Sequence, residues 1–482
     1  MALPPGAGVF GMTGDTTAAA GAAAVPADLP ALLGPGLCWT HAALSERAAE
    51  RAAELAAAGL QAGDVVLCPA DDPLDLIVLQ QALLRLGAGL LPHPAGLPAA
   101  EQAALADGVG AEWCWQRARL LPTGRRRAQA EADAAPTLLI RTSGSSGVPK
   151  FVMLTAAQLA ASALRVNAAL ALAADEAWLC CLPLDHIGGL AIGWRCALAG
   201  AAMCLPHGDR RLAPGFDAAA VAAALSTHPV THLSLVPTML ARLLDLLPAP
   251  PPSLKVLLLG GQALHPALAR RAADAGWPLC VSYGMSETGS MVAVGRWRDD
   301  AATGARVGPL LPDVELDLDA VGDDAPHGRL RLRGPMLMAG YGNPARRPGV
   351  GLADGWLVTA DLGRLDADGA LCILGRADDL VIIGGEQVSP AAIEAKLAGA
   401  PGVGEVVVVA VPHPSWGATL AACWVGPATA DTLAAWCRAE LTPRERPRLF
   451  RQLDALPLLD SGKPDRRGLI ERVKPKRVKF EG

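Results

Sequence analysis

The run Thr142-Ser143-Gly144-Ser145-Ser146-Gly147-Val148-Pro149-Lys150 follows, after Arg141, on the strand-like Thr137-Leu138-Leu139-Ile140. Its glycines let backbone amides turn toward an anion, its hydroxyls add donors, and Lys150 adds positive charge. A loop of this kind after a strand is built to hold a polyphosphate. Spacing separates it from two loops written in similar letters. A Walker loop needs glycine, four residues and then Gly-Lys-Ser/Thr, but the fifth place after Gly144 is Pro149. A Ser-x-x-Lys nucleophile fails by one residue, since Ser146 stands four before Lys150. A hydrolase with a Ser-Ser-Lys catalytic set stays open, because Gly-Ser-Ser-Gly suits that chemistry as well.

On either side of this loop, helix-like and strand-like segments alternate, the mark of layered α/β structure. His41–Ala58 and Leu74–Gly87 are amphipathic, and Asp64–Pro69 and Leu90–Pro92 read as strands. Trp178–Leu182, Met203–Leu205, His232–Val236, Lys255–Leu259 and Leu279–Ser282 continue the series. Beyond Gly308 the segments Val314–Leu318, Gly328–Arg333 and Ala370–Leu374 are short strands joined by polar turns. Near Arg376-Ala377-Asp378-Asp379 a last unit begins, with helices over Pro390–Ala398 and Thr432–Glu440 and a strand over Glu405–Val411. The expected fold class is α/β: a large N-terminal region of layered α/β subdomains with a β-rich subdomain, then a small mobile α+β C-terminal domain. The expected divisions are a poorly ordered lead-in over 1–34, a main domain over 35–375, a hinge over 376–379 and a terminal domain over 380–482.

The chain has 482 residues, enough for two to four domains, and its 51% hydrophobic content supplies ample core. No apolar run reaches the roughly 20 residues that cross a bilayer, so no integral membrane segment is expected. Met1–Pro26 contains no Lys or Arg and so lacks the charged start of a secretory signal. A net charge of −5 argues against nucleic acid as a partner. The basic tail of Arg472, Lys474, Lys476, Arg477 and Lys479 reads as a solvated terminus. The 11 cysteines form no Cys-x-x-Cys pair and read as reduced residues of a cytoplasmic protein.

A second motif, Ser282-Tyr283-Gly284-Met285-Ser286-Glu287-Thr288-Gly289, falls one residue short of a nucleophile elbow, with Thr288 where the last glycine belongs. Tyr283 offers a ring for stacking on a purine, Glu287 a carboxylate for Mg²⁺, and Thr288 a hydroxyl for a phosphate oxygen. Taken singly, core packing for Tyr283 and surface solvation for Glu287 are the favoured readings.

Together, in this order, the motifs closely resemble the adenylate-forming superfamily of acyl- and aryl-CoA ligases, luciferases and adenylation domains, over roughly residues 35–470. By that resemblance Thr142, Ser143, Gly144, Ser145, Ser146, Gly147 and Lys150 form the phosphate loop. Leu182-Pro183-Leu184-Asp185-His186-Ile187-Gly188-Gly189-Leu190 is the acyl-pocket segment, and Gly260, Gly261, Gln262 and Ala263 line the adenine and acyl pocket. Tyr283, Gly284 and Thr288 join the nucleotide site, Met285 the substrate pocket, and Glu287 the metal. Asp361 grips the ribose hydroxyls, Arg376 contacts ribose or phosphate, Asp378 is the pivot, and Gly384 and Gly385 line the pantetheine tunnel. Lys463, in Asp460-Ser461-Gly462-Lys463, is the catalytic lysine, with His186 as the wall of the acyl pocket. Phe151, Asp185 and Ala360 depart from the usual pattern, and none removes a charge the chemistry requires.

The resemblance implies ATP and Mg²⁺ as cofactors, coenzyme A as co-substrate, a small carboxylic acid as substrate, and room for a homodimer. The runs Val230–Leu240, Leu257–Gly261 and Ser282–Met285 look most like the branch of the family that makes the CoA thioester of 2-succinylbenzoate for menaquinone synthesis. With the chain ending soon after Lys463, no fused carrier domain is expected, which favours coenzyme A as acceptor. Other aryl- or medium-chain acyl-CoA ligases, a carrier-protein loading enzyme, the Ser-Ser-Lys hydrolase and a non-catalytic nucleotide sensor remain as alternatives.

Overall fold

The computed structural model describes residues 25–125, 136–142, 149–210, 215–299, 306–320, 327–343, 346–379, 381–383, 386–413, 417–459 and 462–473. Within them the chain forms two large mixed sheets, a five-stranded antiparallel sheet, and a small terminal α+β unit.

The first sheet has its centre in the parallel strands Ala177–Leu179, His232–Leu235, Val256–Leu259 and Leu279–Met285, with Ser290–Arg296 antiparallel at one edge. The first three of these strands are buried throughout, as parallel strands covered on both faces must be, and in Leu279–Met285 only Leu279 and Cys280 are. Pro30–Gly34 pairs in parallel with Ala202–Cys204 and forms a hairpin with Leu37–Thr40 through Pro35-Gly36. Residues 30–34 are therefore a sheet strand and not part of a disordered lead-in. Their backbone groups find partners in the sheet while Ala31 and Leu32 become buried.

The second sheet runs from Gly340–Tyr341 through Lys150–Leu154, Leu138–Thr142, Gly89–His93, Val65–Pro69 and Trp113–Gln116 to Arg119–Pro122. Helices pack beside these sheets where their sequences supply caps. Thr40 Oγ1 accepts from Ala43 N at the start of His41–Ala57. Pro73–Leu86 is capped by Asp72 and stops at Gly87 in the left-handed conformation. A buried ion pair between Arg346 and Glu112 ties the Tyr341 segment back to this sheet, helped by the Gly63 carbonyl.

The five-stranded sheet ends at Arg376, and the next strand, Val381–Ile383, already belongs to the terminal unit. There the helices Pro390–Leu397, Ala430–Glu440 and Arg466–Val473 accompany the sheet of Glu405–His413, Gly417–Val425 and Leu449–Gln452. Its separate core includes Ile393, Leu397, Val408, Trp424 and Leu433. All the cysteines are free, and among the described residues no helix is long and apolar enough to cross a membrane.

Candidate active site

In open α/β sheets, ligands gather beyond the carboxyl ends of the strands. Three expected segments meet there, His186 after Ala177–Leu179, Gly260-Gly261 after Val256–Leu259 and the Tyr283–Glu287 end of Leu279–Met285, joined by Val236-Pro237-Thr238 after His232–Leu235.

The phosphate-loop residues Ser143, Gly144, Ser145, Ser146 and Gly147 lie outside the described residues, as do Gly384 and Gly385. The loop's two stems are placed. Thr142 pairs with Lys150 at the end of a hairpin, and Lys150 Nζ stands 4.7 Å from the centre of the Tyr341 ring. Asn343 fastens both flanks of Lys150, donating to the Pro149 carbonyl at 2.8 Å and accepting from Phe151 N at 3.1 Å. The unusual Phe151 is buried beneath, against Gly108.

Tyr341 also donates its phenol hydrogen to Glu287 Oε1 at 3.0 Å. Tyr283 does the same for Asp361, reaching Oδ2 at 2.5 Å, and Arg376 Nη1 reaches Asp361 Oδ1 at 3.2 Å. Burial and the Asp361 charge push the Tyr283 phenol well up, so it serves as a donor throughout the working pH range. Arg376 is forked onto Asp378 by Nε and Nη2, both at 2.8 Å, and this pairing raises its pKa above the ordinary value.

Lys463 arrives from the terminal unit. Its Cε lies 3.8 Å from where a Cβ on Gly261 would stand, and Gly261 itself has a φ of +75°. Burial, then the nearby Arg376 charge, lowers the Lys463 pKa. The preceding Gly462 carbonyl accepts from Thr238 Oγ1 at 2.7 Å and Gln262 Nε2 at 3.3 Å. Ala263 follows, exposed. His186 caps the helix Ile187–Ala199, half-exposed, with Asp185 Oδ2 at 3.9 Å from Nε2.

One expectation is corrected. Thr288 is fully buried, and its hydroxyl accepts from Met285 N while its single hydrogen faces the Ser290 and Met285 carbonyls, so it has no donor left for a phosphate. Ser286 is the hydroxyl of that turn that stays partly accessible. Packing holds Gly189 and Gly260 as glycines: a Cβ on Gly189 would stand 2.5 Å from the Pro183 carbonyl, and one on Gly260 2.6 Å from Ser282 Oγ. Gly284 is likewise enforced by the Ser290 and Met291 backbone.

Sequence reasoning missed Tyr341, Asn343, Thr238 and Arg195. Two of these had a signal: Tyr341 is one of only two tyrosines, and Arg195 is the lone charge in the helix Ile187–Ala199. Arg195 is 2% exposed, donates to Ser290 Oγ at 2.6 Å, lies over Trp178, and leaves Nε without a partner. Among the described residues no carboxylate stands within ion-pair distance of it, and burial lowers its pKa to about 10.

A family model described as AMP-binding enzyme matches residues 112–342, and one described as AMP-binding enzyme C-terminal domain matches residues 392–463. The 2-succinylbenzoate–CoA ligase of Bacillus cereus (strain Q1) is 34% identical over 342 residues, 70% of each chain. The chain belongs to the AMP-binding enzyme family. Another relative of this AMP-binding enzyme, the 2-succinylbenzoate–CoA ligase of Enterococcus faecalis, is 33% identical over 333 residues, 67% of each chain. The AMP-binding enzyme also matches the solved o-succinylbenzoate CoA synthetase of Bacillus subtilis in complex with its acyl-adenylate intermediate, with a TM-score of 0.80 and 28% identity over 93% of this chain and 96% of that one.

Proposed function

We propose that this chain is an AMP-forming acid–thiol ligase that converts 2-succinylbenzoate to 2-succinylbenzoyl-CoA in the cytoplasm, for menaquinone synthesis. The observation that carries the ligase reading is the meeting of Lys463 with Gly261 and Arg376, and of Arg376 with Asp361. The relatives' names support the substrate, and so does Arg195. A buried cation without a counter-ion is costly, and 2-succinylbenzoate keeps a second carboxylate once the first is activated.

In the first half-reaction a carboxylate oxygen bonds to the ATP α-phosphorus while the bond to the pyrophosphate oxygen breaks. Negative charge concentrates on oxygen, so the protein's work is positioning and charge stabilisation. Asp361, already oriented by Tyr283 and Arg376, accepts from the vicinal ribose hydroxyls. Lys463 bridges the attacking carboxylate and the ribose side of the nucleotide. Thr142, Lys150 and the loop serines hold the β- and γ-phosphates. Among the described residues no three His, Cys, Asp or Glu side chains converge. Glu287 alone suits magnesium, which one or two carboxylates usually hold together with nucleotide phosphates. Bound there, the ion would offset charge on the departing pyrophosphate. In the second half-reaction the thiol sulfur bonds to the acyl carbon, the thiol proton is lost, and AMP leaves. The terminal domain turns about Asp378 between the two steps, withdrawing Lys463 and bringing in the Gly384-Gly385 segment.

The test is pyrophosphate release with ATP, Mg²⁺, coenzyme A and a panel of acids. Fastest release with 2-succinylbenzoate, ahead of benzoate, octanoate and acetate, is expected. A preference for octanoate would move the assignment to a medium-chain acyl-CoA ligase, and amide hydrolysis without ATP would overturn it.

A further inference from the structure

The loop that carries Lys463 is braced internally and gripped externally. Leu459 N donates to the Lys463 carbonyl at 2.7 Å, and Gly462 N to the Leu459 carbonyl at 2.8 Å, with a bridge between Leu458 and Pro464. Gly462 and Lys463 thus form a short tooth. Gly462 has a φ of +76°, and a Cβ there would stand 3.1 Å from Val236 Cγ2 and 3.3 Å from Met239 Cε. Only glycine both adopts that backbone and seats the tooth so deeply. The seat is the first turn of the helix Pro237–Leu246, whose positive end favours a carbonyl oxygen.

Two donors close on that carbonyl, Thr238 Oγ1 and Gln262 Nε2, from the ends of adjacent parallel strands. The Gly462 carbonyl is bonded directly to the Lys463 nitrogen, so gripping it fixes the Lys463 Cα within one rigid peptide unit. No hydrogen bond of the ammonium group is needed to hold the loop. We infer that Thr238 and Gln262 are positioning residues that latch the terminal domain in its adenylating arrangement by holding the Gly462 carbonyl. Gln262, expected in the adenine pocket, also reaches the loop. The latch rests on the ligase reading above, and it serves the first half-reaction only, because Lys463 leaves before the thiol attacks.

Thr238→Val keeps the side chain's shape and removes the donor, Gln262→Met keeps the length and removes the amide, and Thr238→Ser restores the hydroxyl. Single-turnover acyl-AMP formation should slow about three- to tenfold in each of the first two, as expected for one hydrogen bond, and recover in Thr238→Ser. In Thr238→Val, thioester formation from pre-made 2-succinylbenzoyl-AMP and coenzyme A should stay within about twofold of the parent. Equal slowing of both half-reactions, or unchanged adenylation in Thr238→Val, would overturn the latch. Hydrogen exchange over residues 453–470 gives a readout that needs no turnover. Faster exchange in Thr238→Val than in the parent supports the latch and equal exchange overturns it, even if the parent makes no acyl-AMP and the ligase reading itself fails.

Discussion

The phenol of Tyr341 holds Glu287 by a 3.0 Å hydrogen bond to Oε1, 54 residues away in sequence. The only other tyrosine in the chain, Tyr283, holds Asp361 in the same way. Each carboxylate assigned to the nucleotide thus has one phenol to orient it, and Tyr341 adds its ring beneath Lys150. Removing an outer partner of a metal-binding carboxylate typically weakens metal affinity by about 10–100-fold. Tyr341→Phe should therefore weaken Mn²⁺–ATP binding by about tenfold, with ATP binding in the absence of metal nearly unchanged. Tyr341→Leu, which also removes the ring, should weaken both. Calorimetric titration measures these directly, and parental Mn²⁺–ATP affinity in Tyr341→Phe would contradict the assignment.

Lys463 is proposed to stabilise the first transition state alone. Lys463→Ala should lower single-turnover adenylation by about 10²–10³ and leave thiol transfer from pre-made acyl-AMP largely intact. Burial and Arg376 depress its pKa below 10.5, so the free enzyme loses this positive charge at lower pH than an exposed lysine would. Adenylation should accordingly show an alkaline decline in kcat/KM below pH 10.5. Arg376→Gln removes the repelling charge, and so should move the decline to higher pH even as the maximal rate falls. A decline that stays put would separate it from Lys463.

Arg195 is assigned to the acid's second carboxylate. Arg195→Gln should raise KM for 2-succinylbenzoate at least tenfold, about 1.4 kcal/mol, and leave KM for benzoate within about twofold. The ratio of the two constants is the readout, since misfolding would raise both. An unchanged ratio would leave the buried guanidinium as a packing element over Trp178.

Neighbouring glycines in the acyl segment should behave differently. A Cβ on Gly188 meets only the flexible end of Leu182, at 3.3 Å, so Gly188→Ala should stay within about 1 kcal/mol of the parent in stability. On Gly189 it would meet the Pro183 and Leu182 carbonyl oxygens at 2.5 and 2.8 Å, and Gly189→Ala should lose about 1–3 kcal/mol or more. Denaturant unfolding of both proteins checks the order, and similar losses would contradict it.

The hinge expectation gains a complication from Arg376, which is forked onto Asp378 while also reaching Asp361. Proline fixes φ and removes an amide donor. Asp378→Pro should therefore reduce thioester formation more than about a hundredfold by blocking rotation. Adenylation should also fall, by about tenfold, because Arg376 loses its clasp. Asp378→Asn keeps the backbone free and should show mainly the smaller effect. Thioester formation in Asp378→Pro as fast as in the parent would end the rotation account for this enzyme.

Sequence alone determined what lies within a few residues of itself. The donors of the phosphate loop, the glycines of tight turns, the helix caps at Thr40 and Asp72, and the period of the strands are local, because backbone geometry is set by neighbours. The order of such motifs was enough to point to the family and to Lys463, Asp361, Glu287 and Arg376. Tertiary structure decided what depends on register and on which way a side chain turns. Thr288 faces inward because the turn spends its hydroxyl on backbone groups. Tyr283 and Asp361 meet across 78 residues, and Thr238 meets Gly462 across 224. Arg195 is unusual only in lacking a counter-ion once buried, a property no one-dimensional pattern contains. Long-range pairing is fixed by the packing of whole sheets, whose burial free energy is collective. Sequence therefore names the parts of this site, and the fold assigns their partners.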